Sequence, residues 1–199
     1  MELFIVRAGE SEGNINGIYQ GWTNSPLTEK GKKQAAAAAD YLSGKGIDAI
    51  FSSDVNRAFE SASYLSKRIG KRVQKRKCLR EIDFGEFSGK SKASFRNSPY
   101  FDERERDRFN FRFPGGESYS DVTKRITRLI NRFGNKRCCV YSHLATNRAL
   151  IGFILGLPRE KIVRISQGNG IIYFIKGRKI SAINSITKKV VKRGVIYES

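Results

Sequence analysis

Two arginines and the chain's only histidine fall where runs of strand-forming residues end. Arg7 follows Leu3-Phe4-Ile5-Val6, Arg57 lies just beyond Ser52-Ser53, and His143 follows Cys138-Cys139-Val140-Tyr141-Ser142. Guanidinium groups grip phosphate oxygens two at a time and remain cationic at every physiological pH. Phosphoryl transfer is chiefly positioning plus neutralisation of charge on the equatorial oxygens, so a phosphate ester suits this set. By itself the pattern is weak, because an arginine beside a strand is more often a surface ion pair and a lone histidine more often structural.

The elements that must hold these residues are readable from periodicity. The apolar runs at residues 3–6 and 138–141, and the stretch 47–51 broken only by Asp48, predict strands buried on both faces of a sheet. Thr28 is a predicted N-cap for an alanine-rich helix to about Ser43, ended by Gly44 and Gly46. Asp54 is predicted to cap a helix to about Ile69 with Arg57 in its first turn, and Ser118 one to about Phe133. Residues 72–74 read as a short strand and 145–155 as a helix. Residues 170–175 and 179–186 read as a hairpin, with a last strand around 190–196. Residues 79–117 carry no long periodic pattern, and a segment of that length inside a compact domain is usually functional, such as a lid. The order of elements predicts an α/β sandwich, mostly parallel with an antiparallel edge. In such sheets ligands bind beyond the carboxyl ends of the strands, which is where Arg7, Arg57 and His143 fall.

Composition bounds the alternatives. A chain of 199 residues reads as a single domain, 1–199, and 39% hydrophobic residues argue against disorder. No apolar run approaches the roughly 20 residues of a membrane span, and residues 1–6 read as a strand in place of a signal peptide. The expectation is a cytoplasmic protein without membrane contact. Cys78, Cys138 and Cys139 fit buried free thiols better than a disulfide or a metal site. The net charge of +19 is spread over several runs. It reads first as a solvated Lys/Arg-rich surface, then as a field that steers anionic substrates. Nucleic-acid binding comes last, because no recognition motif accompanies the charge.

Arg7-Ala8-Gly9-Glu10-Ser11 resembles the opening signature of the histidine phosphatase (phosphoglycerate mutase-like) superfamily, Arg-His-Gly-Glu-Thr/Ser, with alanine in the histidine's place. Further blocks follow in the family's order. They are Asn14, the stretch from Tyr19-Gln20-Gly21-Trp22 to Gly31, Ser52-Ser53-Asp54 with Arg57-Ala58, Leu79-Arg80-Glu81 to Gly89, Pro114-Gly115-Gly116-Glu117-Ser118, and Ser142-His143-Leu144 with Arg148. Together they span most of residues 1–160. The resemblance implies a three-layer α/β/α sandwich with a lid or insertion at about 90–116. It places Arg7, Arg57 and His143 around the phosphate, with Asn14 and the backbone N–H of Leu144 as further donors. Gln20 and Gly21 would line the entrance, and Glu81 would be the general acid. Asp83 and Glu86 are lesser acid candidates, and Trp22 reads as packing. The family nucleophile would occupy position 8 and carry a phosphohistidine that water hydrolyses. No metal or other cofactor is implied.

Ala8 can neither attack phosphorus nor bind a proton. Intact partner residues around one changed position fit an engineered substitution first. A natural relative that senses phosphorylated ligands is the second account, and a different nucleophile the third. The segment after Glu81 looks more like the phosphatase branch than the mutases. The expected function is therefore phosphomonoester hydrolysis on small phosphorylated metabolites, with this chain inactive. Phosphoglycerate mutase activity and non-catalytic binding of phosphorylated ligands or inorganic phosphate are the alternatives. A homodimer through the edge of the 170–186 hairpin is a further possibility, opposed by its lysines.

Overall fold

The computed structural model describes residues 1–198. The chain runs β1 (Glu2–Arg7), α1 (Glu12–Ile15), α2 (Glu29–Ser43), β2 (Ala49–Ser52), α3 (Asn56–Ile69) and β3 (Val73–Lys75). It continues with α4 (Lys92–Arg96), α5 (Phe101–Arg106), α6 (Tyr119–Ile130), β4 (Arg137–Ser142), α7 (Leu144–Leu155) and α8 (Arg159–Ile162). It closes with β5 (Ile171–Lys176), β6 (Lys179–Asn184) and β7 (Val190–Arg193). One sheet contains all the strands in the order β3-β2-β4-β1-β5-β6-β7. β3, β2, β4 and β1 are mutually parallel, and β5, β6 and β7 extend the sheet antiparallel.

Alternation along β1 explains the layering. Leu3 and Ile5 enter one apolar cluster, together with Val122 and Ile126 of α6 and Ala149 and Leu150 of α7. Phe4 and Val6 enter another, with Ala38, Ala39 and Leu42 of α2 and Ala62 and Leu65 of α3. Successive strand residues point to opposite faces, so an unbroken apolar strand requires helices on both sides. The sandwich is the resulting three-layer arrangement.

Local capping departs from the sequence reading in places. Thr28 does cap α2, accepting from the N–H of Gly31, and Ser118 caps α6 in a capping box with Asp121. Asp54 does not cap α3: Val55 stands at that position, and the Asp54 carboxylate is taken by Arg80 through two 2.7 Å bonds. The charge-assisted fork outcompetes a cap bond. α6 ends at Ile130, three residues early. The 8–27 loop holds the single-turn α1, and the long segment before Pro114 folds into α4 and α5 on a floor of phenylalanines. The 170–186 hairpin is not at a sheet edge, because β7 pairs with β6; the edge strands are β3 and β7. That removes the pairing surface expected of the hairpin.

Two close approaches fix the loops over the strand ends. A Cβ on Gly31 would sit 1.9 Å from the carbonyl oxygen of Glu10, and one on Gly116 2.4 Å from that of Asp83. Only glycine lets the start of α2 rest on the loop after β1, and the Gly115-Gly116 turn rest on the loop after Glu81.

Candidate active site

Register brings the site together. Parallel pairing sets Arg7 opposite Ser142, so the next residues, Ala8 and His143, emerge side by side at the carboxyl end of the sheet. The N–H of Ala8 donates to the Ser142 carbonyl at 2.9 Å, and its carbonyl accepts from the Asn169 side chain at 2.7 Å. Position 8 is thus pinned on both sides. β2 pairs with β4 on the other flank, and the chain leaving it enters α3, whose first turn carries Arg57.

These residues line one cavity of about 430 Å³. Arg7, Ala8, Asn14, Gln20, Gly21, Arg57, Glu81, His143 and Leu144 all reach its wall, so every expected site residue is gathered there. Asp83 and Glu86 are not part of the wall. Arg57 is held by the carbonyls of Gly21 (2.8 Å) and Thr23 (3.1 Å), and Arg7 by the carbonyl of Gln167 (2.7 Å). Asn14 accepts from the N–H of Ser11 at 3.0 Å, which secures the turn and leaves its amide nitrogen as the end able to donate. Glu81 Oε1 accepts from the N–H groups of Ile82 (3.0 Å) and Ala145 (3.1 Å). Its Oε2 takes no protein hydrogen bond among the described residues.

The electrostatics are those of a site short of negative charge. Burial lowers the Arg57 guanidinium to about 10, opposed by Glu81 and assisted by Arg7. Burial likewise lowers Arg7, again against the pull of Glu81. Both stay cationic near neutrality. His143 is buried, and burial together with Arg57, Arg125 and Arg7 holds its imidazole well below the ordinary 6.5. Its Nε2 has no hydrogen-bond partner. A buried polar atom without a partner is costly, and an anion between the arginines would supply one.

This depressed imidazole carries a stability consequence. Below 6.5 the unfolded chain binds a proton at His143 that the folded chain refuses, so folding is weakened as pH falls. The slope approaches about 1.4 kcal/mol per pH unit for one proton. Urea denaturation is expected to show stability falling from pH 7 to pH 5, with a shallower fall in His143→Gln. Parallel profiles for the two proteins would contradict the assignment.

Several residues that position the site were missed from sequence. Arg125 donates to the carbonyls of Cys78 (2.5 Å), Arg80 (2.8 Å) and Glu81 (3.0 Å) and pairs with Glu117 at 2.9 Å. Glu117 in turn accepts from the N–H of Asp83 at 3.0 Å. Gln167 is anchored by the side chain of Asn147 and by the carbonyls of Ile5 and Ile171. Trp22, expected to be packing, is 43% exposed; its indole N–H donates to the Glu81 carbonyl at 2.8 Å, and the Arg80 guanidinium lies 4.8 Å from its ring.

A mostly parallel sheet with antiparallel edge strands, helices on both faces and an anion-seeking pocket at the strand ends is the phosphoglycerate mutase-like architecture. The chain belongs to the histidine phosphatase superfamily (branch 1), whose family profile matches residues 3–180. It is 32% identical over 167 residues to phosphoserine phosphatase 1 of Hydrogenobacter thermophilus, covering 81% of this chain and 79% of that protein. It is 29% identical over 210 residues to a 2,3-bisphosphoglycerate-dependent phosphoglycerate mutase of Mesorhizobium japonicum, covering 96% and 98%. Among solved structures, a mycobacterial glucosyl-3-phosphoglycerate phosphatase in complex with VO3 superposes with a TM-score of 0.81 at 27% identity, over 88% of this chain and 92% of that one. No helix among the described residues is long and apolar enough to cross a membrane.

Proposed function

We propose that this chain carries a phosphomonoester hydrolase site for small phosphorylated metabolites, in which alanine occupies the nucleophile's position. The observation that carries the reading is the convergence of Arg7, Arg57, His143 and Glu81 on a cavity whose wall includes Ala8. The arginines take the phosphate oxygens, and His143 adds a hydrogen bond from its orphaned ring nitrogen. Asn14 and the N–H of Leu144 complete the donor set. Gln20 and Gly21 shape the entrance, and Glu81 Oε2 faces the ester oxygen as acid. A methyl group at position 8 leaves binding intact and removes transfer. The chain as it stands is a binder of phosphomonoesters and inorganic phosphate.

Calorimetry with inorganic phosphate tests this directly. Saturable one-site binding is expected, weakened about 100-fold by Arg57→Gln, the loss of two charge-assisted bonds. Circular dichroism checks that the variant keeps its fold. An unchanged affinity in folded Arg57→Gln would refute the pocket. Near-complete coverage by mutase relatives supports a second reading, in which the restored enzyme interconverts 2- and 3-phosphoglycerate. Faster interconversion than phosphate release by Ala8→His would favour it.

A further inference from the structure

The turn between β6 and β7 and the strand that leaves it carry Lys188, Lys189, Lys192 and Arg193, and no acidic residue occurs between Glu160 and Glu198. Among the described residues none of these cations has a carboxylate partner; the paired cation of this ribbon, Lys176, lies at its other end, on Glu2 at 2.8 Å. The same stretch exposes aliphatic side chains. Ile186 is 65% exposed, Val190 55% and Val191 51%. A scattered exposed aliphatic needs no account, but a cluster on one turn and its outgoing strand does.

Two further observations single out the turn. Lys188 takes a φ of 57°, the one residue other than glycine in the left-handed region among those described. Glycine holds that conformation at lower cost, so a lysine there points to a side chain with a role. Register fixes where the turn lies. Asn184 pairs with Ile171, and Ile172 with Val6, so the turn after β6 projects from the end of the sheet that bears Arg7.

We infer that the β6–β7 turn and the head of β7 dock on an anionic lipid surface. Ile186, with the valines beside it, enters the boundary between headgroups and acyl chains, and the lysines take the headgroup anions. Docking of this kind needs no spanning helix. A protein partner fits less well, because lysine is depleted at protein interfaces and dominates here. A nucleic-acid backbone answers the charge but leaves the aliphatic cluster without a role. A second copy of the chain would set cation against cation. Edge protection accounts for lysines on β7, but not for an exposed isoleucine and a left-handed lysine in the turn before it.

Co-sedimentation with vesicles tests this, using phosphatidylcholine alone and phosphatidylcholine mixed about 3:1 with phosphatidylserine, at physiological ionic strength. Binding to the mixed vesicles alone is expected. A chain of net charge +19 is drawn to any anionic surface, so charge-matched variants decide the matter. Lys188→Gln/Lys189→Gln is expected to weaken binding at least about tenfold. Lys67→Gln/Lys71→Gln removes the same charge beside β3, at the opposite edge of the sheet, and is expected to weaken it less than about twofold. Ile186→Ser, with no change of charge, is expected to weaken it several-fold. Equal losses in the two lysine variants, full binding by folded Ile186→Ser, or no binding by the parent overturns the surface. Duplex DNA bound with the same dependence on Lys188 and Lys189, with Ile186→Ser indifferent on both ligands, reassigns the turn to nucleic acid. Should a turn variant misfold, hydrogen exchange in the parent decides: mixed vesicles are expected to protect residues 185–191, and protection elsewhere or none overturns the inference.

Discussion

Replacing Ala8 with histidine is expected to turn a phosphate binder into a phosphatase, raising turnover of p-nitrophenyl phosphate by about 10⁴-fold or more over the present chain without added metal. The backbone at position 8 is fixed by Ser142 on one side and Asn169 on the other, so a new side chain leaves along the direction Ala8 already takes. An imidazole nitrogen there attacks phosphorus, the P–N bond forms as the ester P–O bond breaks, and Glu81 gives the departing oxygen its proton. Water then cleaves the P–N bond and returns the imidazole. A folded Ala8→His protein without activity would sink the hydrolase reading.

Two companion measurements separate the parts of that scheme. In the Ala8→His protein, Glu81→Gln should slow alkyl phosphates far more than p-nitrophenyl phosphate, whose leaving group needs no proton. Equal slowing of both would make Glu81 a binding residue. In the unmodified chain, free imidazole entering the space beside Ala8 can take the phosphoryl group and release it to water. Activity that rises with imidazole concentration, in a protein silent without it, is the expected signature. The imidazole experiment leaves every surrounding residue untouched, which isolates position 8 as the deficiency.

The central part of this site was legible because parallel strands impose it. The stretches 3–6, 47–51 and 138–141 read as buried strands of one mostly parallel sheet, and the residues after them fall at the carboxyl end of that sheet. Arg7, Arg57 and His143 follow from that alone. Glu81, Asn14, Gln20, Gly21 and Leu144 came from resemblance, since loops carry no period from which to read a side chain's destination. Arg125 was unreadable for a different reason. It sits in an amphipathic helix among other basic residues, where an exposed arginine is the ordinary case, and the carbonyls it holds lie some 44–47 residues away in sequence. Gln167 is similar: only the tertiary crossing of its loop over β1 reveals that its backbone holds Arg7.

Arg125 is also where a distant substitution should cost most. Its guanidinium spans three carbonyls and the Glu117 carboxylate, and Glu117 then ties down the Asp83 N–H. The backbone on both sides of Glu81 is held by this one fork. Arg125→Leu leaves a partly buried carboxylate and three carbonyls to find other partners, a loss of about 3–5 kcal/mol. For a chain of this length that corresponds to a melting temperature lower by roughly 10 °C. Arg125→Lys keeps the charge opposite Glu117 but cannot reproduce the fork, so it should fall between the two. The effect on catalysis should follow Glu81: combined with Ala8→His, Arg125→Leu is expected to slow alkyl phosphates more than p-nitrophenyl phosphate, because the acid's position is lost before the arginine pocket is. Denaturation midpoints and leaving-group profiles indistinguishable from those of the parent would show that the fork holds nothing the loop does not hold by itself.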